Sequence, residues 1–453
     1  MTTARTPVRD LVHLALPIVA VNLGQMMMGV VDTLMVGRVS AAAIAAVALG
    51  TLFFFAAAIS GEGILLVLDP VISQAFGARD AGGQARGFQR GFVLAVVLTV
   101  PAAIFLALAK PIMALLRQPS DVVPLATAYA WIMIPGVLPF FLFTVQRQTL
   151  QALGKVRPIL LTMLLANLVN AALNWLLIFG NLGFPELGVA GSAWATSISR
   201  WFLCLVLAAV AWPLLHPLLR PWDRASLAVA PLLRMTWLGL PIAGQRMLEY
   251  MAFGGTALAM GWISTAAMAG HQIALNLAAL SYMIPLGIGS AGAVMVGRAI
   301  GAGDSLLARR HARLAMLLGG GVMLLGGAFF IGVPAVLARL YTSDPVAMAM
   351  ATTLLPLAGA FGVFDGLQAV GLGVLRGLGD TRVPMLINLV GYWVIGLPAG
   401  FLLAFQFGYG ATGLWWGLVI GLAAVALGLV ARIRVRFARD LHRVVVDHPP
   451  AAA

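Results

Sequence analysis

The sequence predicts an all-α polytopic membrane protein. It has about twelve transmembrane helices in two six-helix lobes related by a pseudo-two-fold along the membrane normal. Three observations carry that fold class. Of the 453 residues 61% are hydrophobic and only 9% are charged, whereas soluble proteins run at about 25% charged. Apolar runs long enough to cross a bilayer, about 20 residues each, recur along the whole length. Motifs of the first half also return in the second at a near-constant offset. A transmembrane β-barrel is excluded, because it would alternate in segments of about 10 residues, and the runs here are longer and uniformly apolar.

Hydropathy and helix breakers place the spans near 14–37, 47–74, 88–109, 124–148, 158–180, 188–211, 233–260, 271–297, 312–333, 347–374, 384–406 and 411–431. The apolar run after the opening MTTARTPVRD is too long for a signal-peptide core. It contains Asn22, Gln25 and Asp32 and lacks a small-residue exit, so it is expected to stay as the first span. An even number of spans puts both termini on one side. With the termini inside, 22 basic residues, Arg5 and Arg147 among them, fall in inner segments. Only Arg38, Lys110, Arg117 and Arg339 fall outside, while Arg200 and Arg246 lie within spans. That bias assigns the termini to the cytoplasm of a bacterial-type inner membrane. It also accounts for the net charge of +13 without a nucleic-acid partner. Cys204 is the only cysteine, which excludes an intrachain disulfide and a cysteine-built metal site.

The repeat is read from ordered pairs. Pro17 and Pro241 are separated by 241 − 17 = 224, and the same offset joins Gly37 to Gly261, Ser40 to Ser264, Gly77 to Gly301, Asp80 to Asp304 and Arg86 to Arg310. Leu153-Gly154 returns as Leu378-Gly379, and the Gly188 to Gly191 turn returns as Gly410 to Gly413. Each copy has six spans, so the two insert with the same orientation, the parallel-repeat arrangement of transporters. The join falls in the proline-rich stretch Trp212 to Pro231, giving lobes at 1–218 and 219–453.

Polar residues inside the spans are the functional candidates, since a charge at the bilayer centre costs about 2.5–3.5 kcal/mol on insertion scales. In span one Asn22, Gln25, Gly29 and Asp32 share a helix face, and in span five Asn167, Asn170 and Asn174 do the same. Asp32 with Asn170 and Asn174 can form an oxygen-rich pocket for a cation such as Na⁺, or simply glue the two helices by hydrogen bonds. Span two holds Glu62, whose role the sequence leaves open, and Asp69, read as structural. In the second half Glu249 of span seven and Asp365 of span ten reach compatible depths and can share a proton or Na⁺. Arg246, one turn before Glu249, can instead neutralise it. Gln25, Arg246, Tyr250, Gln368 and Tyr392 are candidates for lining a cavity. His271 is read as hydrogen-bonded structure.

The two six-helix halves resemble the multidrug and toxic compound extrusion (MATE) transporters. So do the Gln74–Asp80 loop, Gln-Ala-Phe-Gly-Ala-Arg-Asp, and the Leu375–Arg382 loop, Leu-Arg-Gly-Leu-Gly-Asp-Thr-Arg. Glu249 and Asp365 are similar to the carboxylate pair of the NorM-type branch. The resemblance implies an N-lobe cation site at Asp32 with span-five asparagines. It also implies ion-driven export of small organic cations, no cofactor beyond the coupling ion, and contact with membrane lipid. A monomer is expected. No phosphate-binding loop, H-E-x-x-H or G-x-S-x-G pattern is present, so an enzyme is not expected. The residues alone leave Na⁺ and H⁺ open. Two other functions also stay open, a flippase for a lipid-linked precursor and a receptor or scaffold that transports nothing.

Overall fold

A computed structural model describes residues 7–120 and 122–447. Arg5 and the rest of residues 1–6, covered by the readings of the N-terminal segment above, lie outside the described residues. Twelve long helices follow one another along the chain: α1 Pro7–Val36, α2 Ala42–Gly77, α3 Ala81–Ala107, α4 Val123–Ala152, α5 Arg157–Phe179, α6 Val189–Val210, α7 Val229–Ile263, α8 Thr265–Gly301, α9 Ser305–Gly332, α10 Pro345–Gly377, α11 Arg382–Gln406 and α12 Gly410–Phe437. Eleven are long and apolar enough to cross a membrane. The twelfth, α7, has 35 residues, but Gln245, Arg246 and Glu249 dilute its apolar character. Leu168, Leu258, Trp262 and Leu325 stand 70%, 69%, 70% and 75% exposed, as side chains facing lipid do. Helices satisfy every backbone group internally, which hydrocarbon demands.

The helices outrun the predicted spans. Arg298 and Arg376, just past the predicted ends of their spans, sit inside α8 and α10, and Arg90 and Arg147, at the inner ends of their predicted spans, sit inside α3 and α4. Hydropathy marks the hydrocarbon slab, while helical hydrogen bonding continues beyond it until a capping residue ends the helix.

The caps repeat as the sequence does. Ser40 (φ −169°, ψ 164°) accepts a hydrogen bond from the Ala43 amide, and Ser264 (φ −172°, ψ 162°) accepts one from Ala267. Asp80 caps Gly83 and Asp304 caps Leu307. Gly154 and Gly379 both take positive φ, at 67° and 74°, and Gly188 and Gly410 both take 52°.

Contacts divide the chain into two compact units. One comprises Ala20–Ala243 with the tail from Val445, and the other comprises Gly244–Val444 with the opening segment up to Val19. The boundaries at Val19 and Ala243 differ by 243 − 19 = 224, the repeat offset, and both fall within unbroken helices. Each half's first helix therefore gives its opening turns to the unit built mainly by the other half. Glycines permit this. A Cβ on Gly63 would meet the Ala243 backbone, and one on Gly287, 224 residues later, would meet the Val19 backbone.

In the second unit α8 and α10 approach just as closely, and a Cβ on Gly373 would fall inside the Gly289 backbone. Gly373→Ala is expected to lower stability by about 1–3 kcal/mol, the usual cost of overpacking. Gly321→Ala, with open space around its Cα, is expected to be tolerated. Thermal melting of both variants in detergent checks the pair.

Candidate functional site

In the unit holding Ala20–Ala243, three helices converge on Asp32. α1 supplies the carboxylate, which is 6% exposed. Asn174 Nδ2 of α5 donates to Oδ1 at 2.6 Å, and Thr196 Oγ1 of α6 donates to Oδ2 at 2.7 Å. The same Asn174 amide also donates to Asn170 Oδ1 at 3.2 Å. Both asparagines are fully buried, and Asn174 Oδ1 and Asn170 Nδ2 have no hydrogen-bond partner among the described residues. The cluster thus offers a carboxylate and an uncommitted amide oxygen, the hard oxygen donors that suit a cation such as Na⁺. Tyr129 and Arg200 act electrostatically on Asp32. The Arg200 guanidinium lies over the Phe54 ring at 3.5 Å, a cation–π contact that tolerates a positive charge in an apolar place.

Gln25 has a different partner. Its Oε1 accepts from Arg147 Nη1 at 2.8 Å, and Arg147 Nη2 pairs with Glu62 Oε1 at 3.1 Å. Glu62, left open by the sequence, is therefore an ion-paired carboxylate between α2 and α4. Asp69 Oδ1 accepts from Gln148 Nε2 at 2.8 Å.

In the unit holding Gly244–Val444, Asp365 of α10 is 5% exposed. The Glu249 carboxylate of α7 acts on it electrostatically. The Arg246 charge also bears on Glu249, and Gln245 stands one turn before it on α7. One turn after Asp365, Gln368 Oε1 accepts from the Tyr392 hydroxyl at 2.9 Å. Tyr392 lies in a widened, π-helical part of α11, Leu389–Gly396, and such turns recur at functional sites. Its ring packs against Phe253, which packs on Phe361, four residues before Asp365. Tyr250 follows Glu249 directly and so faces another direction on α7. His271 is fully buried, with its ring against Trp415 at 5.7 Å, and neither ring nitrogen has a hydrogen-bond partner among the described residues.

The structure thus brings together Asp32, Asn170 and Asn174 in one unit, and Glu249, Asp365, Gln368 and Tyr392 in the other. Gln25 joins the Arg147 network instead. Sequence reasoning missed Thr196 and Tyr282, the latter a buried α8 tyrosine that both Glu249 and Asp365 act on. The available signal was a hydroxyl-rich run in α6, Thr-Ser-Ile-Ser, and a tyrosine partway along α8.

Two lobes of six helices, each with acidic and amide side chains buried within it, give the chain the architecture of a duplicated membrane bundle. The MatE family model matches residues 17–176 and again residues 241–402, two segments whose starts are again 224 apart. The chain belongs to the MatE family. It is 38% identical over 436 residues to the multidrug resistance protein NorM of Burkholderia vietnamiensis, covering 94% of each chain. It is 34% identical over 438 residues to the multidrug resistance protein MdtK of Pectobacterium atrosepticum, covering 95% of each. The crystal structure of the eukaryotic MATE transporter AtDTX14 superposes with a TM-score of 0.87 at 23% identity, over 95% of this chain and 96% of that one.

The buried Glu62–Arg147 pair gives a direct test of how charge is balanced here. Removing one partner leaves the other uncompensated, at a cost of about 3–5 kcal/mol. Glu62→Gln and Arg147→Met are each expected to melt well below the parent. The double variant is expected to lose clearly less than the sum of the two, as read by thermal unfolding in detergent.

Proposed function

We propose that this chain is a secondary active exporter exchanging Na⁺ or H⁺ for amphipathic, cationic organic compounds. It works as a monomer in the cytoplasmic (inner) membrane with both termini inside. The moving bodies are the two repeat lobes, residues 1–218 and 219–453, whose first helices exchange their opening turns. The observation that carries this reading is the buried Asp365 carboxylate, with the charge of a second carboxylate, Glu249, acting on it, in the same unit as the packed rings of Phe361, Phe253 and Tyr392. The multidrug-resistance names of relatives at 34–38% identity support drug-like substrates.

The chemistry follows from charge. Two carboxylates in a low-dielectric site repel, so one holds a proton or the two share a cation. A cationic substrate competes for the same negative charge, which makes ion binding and substrate binding mutually exclusive. Occupancy by the ion from one side then expels substrate, provided the site faces only one side at a time. Tyr392, Phe253 and Phe361 supply aromatic faces for a flat cation. Asp32 with Asn170, Asn174 and Thr196 offers the other lobe's cation site.

Ion-driven dye efflux from proteoliposomes tests this. Asp365→Asn and Glu249→Gln are each expected to reduce efflux at least about tenfold, the effect of losing roughly 1.4 kcal/mol of coupling. Full activity in both variants would reject the carboxylate assignment. Running the assay under a pure Na⁺ gradient and then a pure pH gradient assigns the ion, and transport under neither rejects the exporter itself.

A further inference from the structure

The opening turns of α3 hold two irregular chain segments at once. Gln89, fully buried, donates to the carbonyls of Leu218 at 2.9 Å and Pro221 at 3.2 Å. Its Oε1 accepts from the Asp223 amide at 3.0 Å and Ser226 Oγ at 2.8 Å. The join between the two repeats is thereby tied down. One turn of α3 also grips the C-terminal tail. Arg86 Nε meets Asp447 Oδ2 at 3.0 Å, and the buried Arg90 pairs with Asp447 Oδ1. Arg86 also reaches Asp223 at 3.7 Å, and Arg90 donates to the Ala225 carbonyl at 3.3 Å. Arg234, on the first turns of α7, donates to the carbonyls of Val446 at 2.7 Å and Asp447 at 3.1 Å. Burial works to raise the Asp447 carboxyl, but the Arg90 hydrogen bond and the Arg90 and Arg86 charges outweigh it and hold it below the usual range. The side chain is therefore an anion at neutral pH.

The end of α12, just before the tail, is held as well, within the other unit. Arg309 donates to the Phe437 carbonyl, and Asp380 accepts from Arg432 Nε at 2.7 Å. The Val444 side chain occupies the space beside Gly379, whose positive φ and missing Cβ let the tail lie against the α10–α11 turn. The division between units falls directly after Val444.

We propose that Val444 to Asp447 is a strap that ties the end of α12 to α3 and limits how far the two units travel during transport. Three residues of extended chain reach only about 10 Å, so larger separation at this point requires Asp447 or Val444 to let go. The inference rests on the alternating-access reading above for its role in the cycle, but the docking itself does not.

The test uses the full chain in liposomes, with Cys204→Ala to clear the background and a nitroxide on Val445→Cys. The label is expected to be immobile in the parent and mobile after Asp447→Asn. A second pair of labels, on Gln84→Cys and Arg439→Cys, reads the distance between α3 and the end of α12. Its distribution is expected to broaden when the chain is truncated after Asp440, with dye turnover rising about threefold. Arg86→Gln is expected to mimic Asp447→Asn in the full chain and to add nothing in the truncated one. A mobile label in the parent, or an unchanged distance distribution after truncation, overturns the strap. Broadening without any dye transport keeps the strap and rejects the transport reading.

Discussion

A carboxylate placed in hydrocarbon must be neutralised, and the interior of this protein is arranged around that requirement. Solvation lost on burial has to be replaced by hydrogen bonds, a counter-charge or a bound ion. Each acidic side chain within the helices meets it differently. Asp32 receives an amide and a hydroxyl from two neighbouring helices. Glu62 is held by a guanidinium that also engages Gln25. Glu249 has the Arg246 charge acting on it. Asp365 has another carboxylate acting on it, an arrangement that repels unless a proton or a cation intervenes.

Duplication supplied the frame on which these solutions diverged. The caps at Ser40 and Ser264 and at Asp80 and Asp304 keep the same backbone angles to within about ten degrees. The inward-facing residues have not kept pace. Gln25, which engages Arg147, has Glu249 as its counterpart 224 positions on, so an amide in one lobe has a carboxylate in the other. The exchange of the opening turns of α1 and α7, admitted by Gly287 and Gly63, is itself repeated. A carrier built this way couples its halves through continuous helices as well as through the loop between them.

The order of the helices and the repeat were legible because both rest on local signals, apolar length and cap chemistry. The Asp32 cluster was half legible. Spacing puts Asn170 and Asn174 on one face of α5, but the hydroxyl-rich run of α6 does not single out Thr196. The Glu62–Arg147 pair was hidden for a related reason. Arg147 lies near the predicted inner end of its span, where hydropathy assigns a basic residue to the aqueous side. In the folded chain it is 7% exposed inside α4. Partnerships between helices 85 residues apart in sequence leave no periodicity to read.

The central claim is that the acidic pair in the second unit exchanges an ion for substrate. The most direct measurement is ion release from purified protein when a cationic dye is added, followed with a pH indicator in weak buffer and with a Na⁺-sensitive probe. The account requires about one H⁺ or Na⁺ to leave per dye bound, by charge exclusion at a shared site, and requires that release to vanish in Asp365→Asn. Dye binding with no ion released by the parent protein, or undiminished release from Asp365→Asn, would contradict it.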